Sequence, residues 1–342
     1  MNHVAIDLGG RESQVCIRRP DGTILEERKC FTSKLEALLR RQSPSRVIVE
    51  TSAEAFRIAD QALGCGHEVR VVPATLVKSL GVGDRGVKND QKDARVLSEV
   101  SCRIDLPSVH IPTAAARALR SMSGGREVLV EVRTKTVNCV RGWMRTQLWR
   151  LRSGALTTFP DRVRAHVQAQ ATPLPEHIER LLATTDTLNE QIKAADRQLL
   201  QLAKAHPVCR LLMTMPGVGP VTAVRFVAAI DRVERFRGAH ALQSYLGLTP
   251  GENSSSERKR MTSITKAGPA ALRWCLIQGA WAAWRTRPLD PMVRWAQQIA
   301  DRRGKFIAVV ALARKMAGIL FAMWRDQTPY RSTAGAATAT AA

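Results

Sequence analysis

The sequence predicts an α/β N-terminal domain (1–112), a helical linker of coiled-coil type (113–205), a mainly helical C-terminal domain (206–326) and a disordered tail (327–342). Three observations carry this reading. A three-strand pattern followed by alternating helix and strand signals fills the first hundred residues. Strand signals then fade, and Arg-rich and heptad-patterned stretches take over. Finally, 342 residues with 45% hydrophobic content suffice for about two domains, at roughly 100–200 residues each.

His3–Leu8 and Ser13–Arg19 are rich in β-formers, and Pro20-Asp21-Gly22 is a turn after which Thr23–Arg28 can pair back as a third strand. Ser33–Arg41 has helical spacing, with Leu35, Leu38 and Leu39 on one face. Arg46–Glu50 reads as a strand, Ala53–Leu63 as a helix and Glu68–Val72 as a further strand. Asn89 or Asp90 can cap a helix running to about Val100. Ala114–Arg152 reads as an Arg-rich helix bearing Trp143 and Trp149. Beyond Pro173 and Pro175, four heptads place Ile178, Thr185, Ile192 and Leu199 at one seam position, with Leu181, Leu188, Ala195 and Leu202 at the other. Such a seam fits an arm packed within its own domain as well as a dimer contact.

Lys and Arg number 52 against 30 Asp and Glu, for a formal charge of +22. Residues 206–342 carry +13 of it. That excess points to a polyanion, with nucleic acid favoured over an anionic membrane surface. Phe306–Trp324 is the most apolar late stretch, but Arg314 and Lys315 interrupt it, which argues against a membrane span. No secretory signal is read at the start, and seven scattered cysteines without a Cys-x-x-Cys pair fit reduced thiols and a cytoplasmic location.

Four carboxylates form an ordered set. Asp7 ends the apolar strand in Val4-Ala-Ile-Asp-Leu-Gly-Gly10, and Glu50 ends Val47-Ile-Val-Glu50. Asp90 and Asp93, three apart in Lys88-Asn-Asp-Gln-Lys-Asp-Ala94, share one helix face. Neighbouring strands would bring the four to one sheet edge. Two-metal phosphodiester cleavage needs hard oxygen ligands holding divalent ions about 3.5–4 Å apart, and Mg²⁺ suits carboxylates. Singly, each residue also fits a turn, a helix cap or a surface ion pair. The Asp7-Leu-Gly-Gly10 start also suits a phosphate-binding kinase fold, but the helical, basic second half lacks the phosphate and adenosine loops of such a fold.

In the second half, Met215-Pro-Gly-Val-Gly-Pro220 can be a helix-hairpin-helix turn, with Gly217 and Gly219 letting backbone N–H groups approach a phosphate, or a plain tight turn. Tyr245-Leu-Gly-Leu-Thr-Pro250 leads to Ser254, Ser255 and Ser256, then Arg258, Lys259 and Arg260, then Ile264-Thr-Lys-Ala-Gly268 with Lys266. A serine there can attack a phosphodiester, or the basic loop can serve only to contact phosphates. Tyr245 and Tyr330 are the only tyrosines, and neither sits where a strand-transfer nucleophile would.

Taken together, these motifs resemble the transposases of the insertion sequence 110 family, known as bridge-RNA-guided recombinases, over about residues 1–326. The resemblance implies a RuvC-like domain of RNase H fold whose tetrad is Asp7, Glu50, Asp90 and Asp93, with Mg²⁺ as cofactor. It also implies a helical linker for dimerisation and a C-terminal transposase domain with a catalytic serine. Counting from Pro250, that serine falls on Ser255, beside Ser254, while Ser256 stands where the family has glycine. The implied partners are donor and target DNA, an element-encoded bridge RNA and further copies of the chain, as a dimer or tetramer. Two other readings differ in chemistry: a RuvC-like junction endonuclease using water alone, and an inactive nucleic-acid-binding protein.

Overall fold

Val4, Ala5 and Ile6 are all buried, the pattern of a strand covered on both faces. In the computed structural model, which describes residues 1–79, 90–253 and 261–332, that strand, β1 (His3–Asp7), is the middle of a five-stranded sheet. β2 (Glu12–Arg18) and β3 (Ile24–Phe31) extend it antiparallel on one side, and β4 (Arg46–Glu50) and β5 (Glu68–Val72) extend it parallel on the other, giving the order β3-β2-β1-β4-β5. The β2–β3 turn forms because the Asp21 carboxylate accepts from Thr23 N at 2.8 Å and Gly22 takes φ +93°.

Side chains alternate across this sheet with period two. Val4, Ile6, Val47 and Val49 face a core built with α1 (Leu35–Arg40) and α2 (Ala55–Gly64). Ala5, Ile48 and Val72 face the other way, onto a core shared with Val77 of α3 (Ala74–Ser79) and Leu97 of α4 (Asp90–Arg103). The chain divides into two compact units, Met1–Pro112 and Thr113–Ala342. This mixed sheet with helices on both faces makes up the first.

The second unit is helical. α5 (Ala114–Thr146) is capped by Thr113, whose hydroxyl accepts from Ala116 N at 3.1 Å and donates to the Asp231 carboxylate at 2.6 Å. Where the sequence suggests a helix to Arg152, α5 stops at Thr146. Leu148 turns left-handed at φ +62°, and Trp149 meets Trp143 edge-on at 5.6 Å and His166 at 5.5 Å. His166 belongs to α6 (Phe159–Ala169), which follows. α7 (Glu176–Ala205) then packs along α5.

α8 (Pro207–Leu212) and α9 (Pro220–Ile230) lead into the C-terminal core. α9 is buried at every residue from Thr222 to Ile230. Its Arg225, also buried, donates to the Glu127 carboxylate at 2.8 Å and to Ser123 O at 3.0 Å, which satisfies a charge that would otherwise be costly there. Around α9 pack α10 (Ala239–Tyr245), α11 (Ala270–Thr286), α12 (Pro291–Arg303) and α13 (Lys305–Asp326). A short antiparallel pair, β6 (Pro250–Glu252) and β7 (Met261–Ile264), joins α10 to α11.

By length and composition α13 could cross a membrane. Val309, Leu312, Met316 and Leu320 nevertheless line this core. Within 327–342, expected as a disordered tail, residues 327–329 are exposed but Tyr330 is anchored. The Tyr330 hydroxyl donates to the Asp290 carboxylate at 2.8 Å and its N–H to the Thr214 hydroxyl at 2.9 Å.

Candidate functional site

β1 and β4 run parallel in a register that pairs His3 with Arg46 and Ile6 with Val49. Asp7 and Glu50, each the last residue of its strand, therefore leave the sheet side by side at the carboxyl edge, where open α/β sheets carry their sites. Both are half-buried. Asp90 and Asp93 lie in the first turn of α4, which packs on β1 and β2. Asp93 is half-buried, whereas the Asp90 side chain lies outside the described residues. Asp7, Glu50 and Asp93 each have an interaction partner.

A row of polar contacts fixes α4 on the sheet. Arg95 holds both carboxylate oxygens of Glu27 on β3. Ser98 Oγ accepts from Arg18 Nε at 3.1 Å and lies 3.2 Å from Cys16 Sγ, both on β2. Ser101 Oγ lies 2.8 Å from His3 Nδ1 on β1. Residues 95, 98 and 101 recur every three positions along one helix face, so one stripe of α4 crosses three strands in turn. Burial, reinforced by the Arg46 charge, pushes the His3 pKa down, and burial pushes the Cys16 thiol up.

The oxygen donors of Asp7, Glu50 and Asp93 fit a hard divalent cation in kind. Among the described residues, however, no three His, Cys, Asp or Glu side chains gather as a metal-holding group. The glycines after Asp7 serve the hairpin. A Cβ on Gly9 would meet Glu12 O at 2.3 Å, and Gly9 O accepts from the Thr32 hydroxyl at 2.6 Å.

In the second unit Gly217 takes φ +82°, and a Cβ there would meet Gly279 O of α11 at 2.1 Å. Close packing of a turn on a helix therefore demands this glycine. Gly219 differs: it is the exposed N-cap of α9, and a Cβ would meet nothing within 4 Å. Ser254, Ser255, Ser256, Arg258, Lys259 and Arg260 lie outside the described residues.

The flanks of that loop are tightly built. β6 and β7 pair Pro250 with Ile264 and Glu252 with Met261. Below them a Cβ on Gly247 (φ +64°) would meet Ala267 O at 2.2 Å, and one on Gly268 (φ +71°) would meet Tyr245 O at 1.9 Å. Arg273 clasps the two crossing segments, donating to Leu246 O at 3.0 Å and Ala267 O at 2.8 Å. Lys266 is exposed at φ +56°, its N–H bonded to Gly247 O at 3.2 Å. Sequence reasoning missed Arg273, although the two glycines bracketing the loop are a readable sign of a close crossing.

An acidic sheet edge within a strongly basic chain marks a class of proteins that act on nucleic acid, and comparison with known proteins narrows it. A family profile described as a transposase, of the DEDD type of IS110, matches residues 4–147. A second, described as the transposase IS116/IS110/IS902 family, matches residues 209–292. The chain is 28% identical to a probable family 20 transposase of Pseudomonas aeruginosa, covering 97% of this chain and 99% of that one. It is 26% identical to the transposase for insertion sequence element IS1111A of Coxiella burnetii, over 96% and 91%. It is 24% identical to the transposase for insertion sequence element IS1328 of Yersinia enterocolitica, over 96% and 98%.

The class is therefore that of insertion-sequence transposases, enzymes expected to bind DNA, cleave it and transfer its strands. Within it the chain belongs to the IS110/IS116/IS902 family, whose DEDD type usually works with a divalent metal.

Proposed function

We propose that the first unit is a RuvC-like domain of RNase H fold whose Asp7, Glu50, Asp90 and Asp93 hold Mg²⁺, and that Ser255 is the nucleophile of strand transfer. The observation that carries this reading is the shared edge of two strands: Asp7 and Glu50 end adjacent parallel strands, and Asp93 lies in the first turn of α4, a helix packed on β1. The strand order β3-β2-β1-β4-β5, with only β2 antiparallel to its neighbours, supports the fold assignment. A bound divalent cation would supply Lewis-acid stabilisation of charge on the phosphodiester.

The chain's own part is nucleophilic. Ser255 Oγ attacks the phosphorus, the new Oγ–P bond replaces P–O3′, and the leaving oxygen takes a proton to become a free 3′-hydroxyl. The serine proton passes to solvent or a nearby base. A later attack by a 3′-hydroxyl on the phosphoserine reverses these bonds and joins the strands. The clasp of Gly247, Gly268 and Arg273 beneath β6 and β7 supports the reading by giving the loop a rigid base. Arg258, Lys259, Arg260 and Lys266 add charge suited to phosphates, and the open space at Gly219 suits a backbone contact with one. Target choice falls to base pairing with an element-encoded bridge RNA, while the protein, as a dimer or tetramer working in the cytoplasm, holds backbone and shape.

The test is a covalent protein–DNA adduct. Full-length protein, the element's flanking noncoding RNA, junction donor DNA, labelled target DNA and Mg²⁺ are run on a denaturing gel. Wild type forms an adduct that Ser255→Ala lacks, and Asp93→Asn abolishes cutting altogether. An adduct retained by Ser255→Ala removes the serine assignment, and DNA cut without any adduct favours hydrolysis by water.

A further inference from the structure

The turn joining α12 to α13 reads Asp301-Arg-Arg-Gly-Lys-Phe-Ile307, and all seven residues are exposed. Gly304, at φ +84°, ends one helix and starts the next. Phe306 is 80% exposed and Ile307 52%, although Ala308 and Val309 beside them lie in the core. Leaving a phenylalanine in water forgoes the stabilisation its burial would bring. The ring is nonetheless held: it meets Trp281 of α11 edge-on at 5.9 Å and 77°. Lys305 Nζ sits 5.4 Å from the Trp281 ring and 5.6 Å from the Trp284 ring.

Arg302 and Arg303 lie in the same exposed turn. Their place in the last turn of α12 suits the helix dipole, and Arg302 Nε donates to Gln298 O at 3.3 Å. The dipole accounts for the arginines but not for an exposed phenylalanine held against the Trp281 indole. The same exposed turn carries three cations against the single carboxylate of Asp301, so the partner of the ring should be anionic and should present flat apolar faces. Nucleic acid has both properties, and stacking on aromatic side chains beside cations is how unpaired strands are held. In a duplex the base faces are already stacked, and strand exchange exposes them.

We propose that Phe306, with Lys305, Arg302 and Arg303, forms a post on which an unpaired base of a DNA strand stacks. This rests on the transposase reading only in taking DNA as the substrate. The post uses none of the four carboxylates and none of the three serines.

Fluorescence anisotropy with the full-length protein tests it, using a labelled single-stranded oligonucleotide and a duplex of the same length. Phe306→Ala weakens single-strand binding about fivefold or more, the lower end for one stacked base, and leaves duplex binding within about twofold. Phe306→Trp, which keeps an aromatic face, restores single-strand binding, and both variants melt with wild type because the ring is exposed. The proposal is overturned if Phe306→Ala binds the single strand like wild type, or loses both DNA forms equally. It is also overturned if Phe306→Trp fails as alanine does. A loss confined to the matching RNA strand, or to vesicles of anionic phospholipid, overturns it too, since an aromatic ring among cations also suits a membrane surface. Every one of these outcomes leaves the wild-type Ser255 adduct as it is, whereas failure of the transposase reading removes the adduct.

Discussion

At the scale of single residues, several positions have two jobs in the sequence and one in the structure. Gly217 is the clearest: its motif suits phosphate contact, yet its positive φ and the 2.1 Å approach to Gly279 O already require glycine. No sequence pattern reveals that crossing, because its other half lies some sixty residues downstream. His3 shows a similar hidden coupling, through Ser101. Burial and the Arg46 charge hold its folded pKa below the ordinary 6.5. Between those two values the unfolded chain carries a proton that the folded chain lacks, so stability falls as the pH drops through 6.5 and levels off below the folded pKa. Thermal melting between pH 7.5 and 5 should show this decline, and His3→Gln should make it shallower. His206, shifted the same way by burial and Arg210, keeps part of the slope. Identical profiles for variant and wild type would remove His3 from the account.

At the scale of elements, the first unit was largely legible, and the reason is periodicity. The expected strands Arg46–Glu50 and Glu68–Val72 are β4 and β5 with the same bounds. Elements resting on long-range contacts were not legible. α6 needs the Trp143–Trp149–His166 stack, and β6 and β7 need the crossing at Gly247 and Gly268. α7 lies between these cases. Its first seam set, Ile178, Thr185, Ile192 and Leu199, is buried as the heptads suggest. The second set falls largely one residue later, with Leu182, Asn189 and Ala203 buried and Asp196 half-buried, while Leu188 of the expected set is buried as well. Asn189 and Asp196 belong there because Arg133 and Arg126 of α5 reach them at 3.0 and 2.6 Å, which a count of apolar residues cannot see. α4 depends on such pairs too. Glu27→Gln removes one charge of the Arg95 pair, which is partly exposed and screened by solvent. Hydrogen exchange in α4 should then quicken by up to about fivefold while the sheet stays protected. The reversed pair, Glu27→Arg with Arg95→Glu, should slow it again. Unchanged exchange in Glu27→Gln would show that Ser98 and Ser101 dock the helix without help.

For the whole molecule the decisive quantity is charge: +22 overall, with Asp7 and Glu50 side by side at one sheet edge. The general attraction to DNA comes from Lys and Arg displacing counterions, so affinity should fall steeply and log-linearly with salt. The carboxylate edge works against that attraction wherever a phosphate must approach it. Two unit charges about 4 Å apart in water repel by ~1 kcal/mol, or about fivefold in affinity. Asp7→Asn should therefore bind duplex DNA up to about fivefold more tightly than wild type in EDTA, with the same salt slope, since no cation that meets DNA has been lost. In Mg²⁺ the gap should narrow, because a cation held by the intact carboxylates offsets their charge for wild type and has less to hold it in the variant. Anisotropy titrations of both proteins, with and without Mg²⁺, read the two effects separately. Equal affinities in EDTA would place Asp7 away from the DNA path. A gap that persists unchanged in Mg²⁺ would place it near the DNA but outside the metal site. Only tighter binding in EDTA together with convergence in Mg²⁺ fits an acidic edge that a basic protein keeps for a metal-assisted cut.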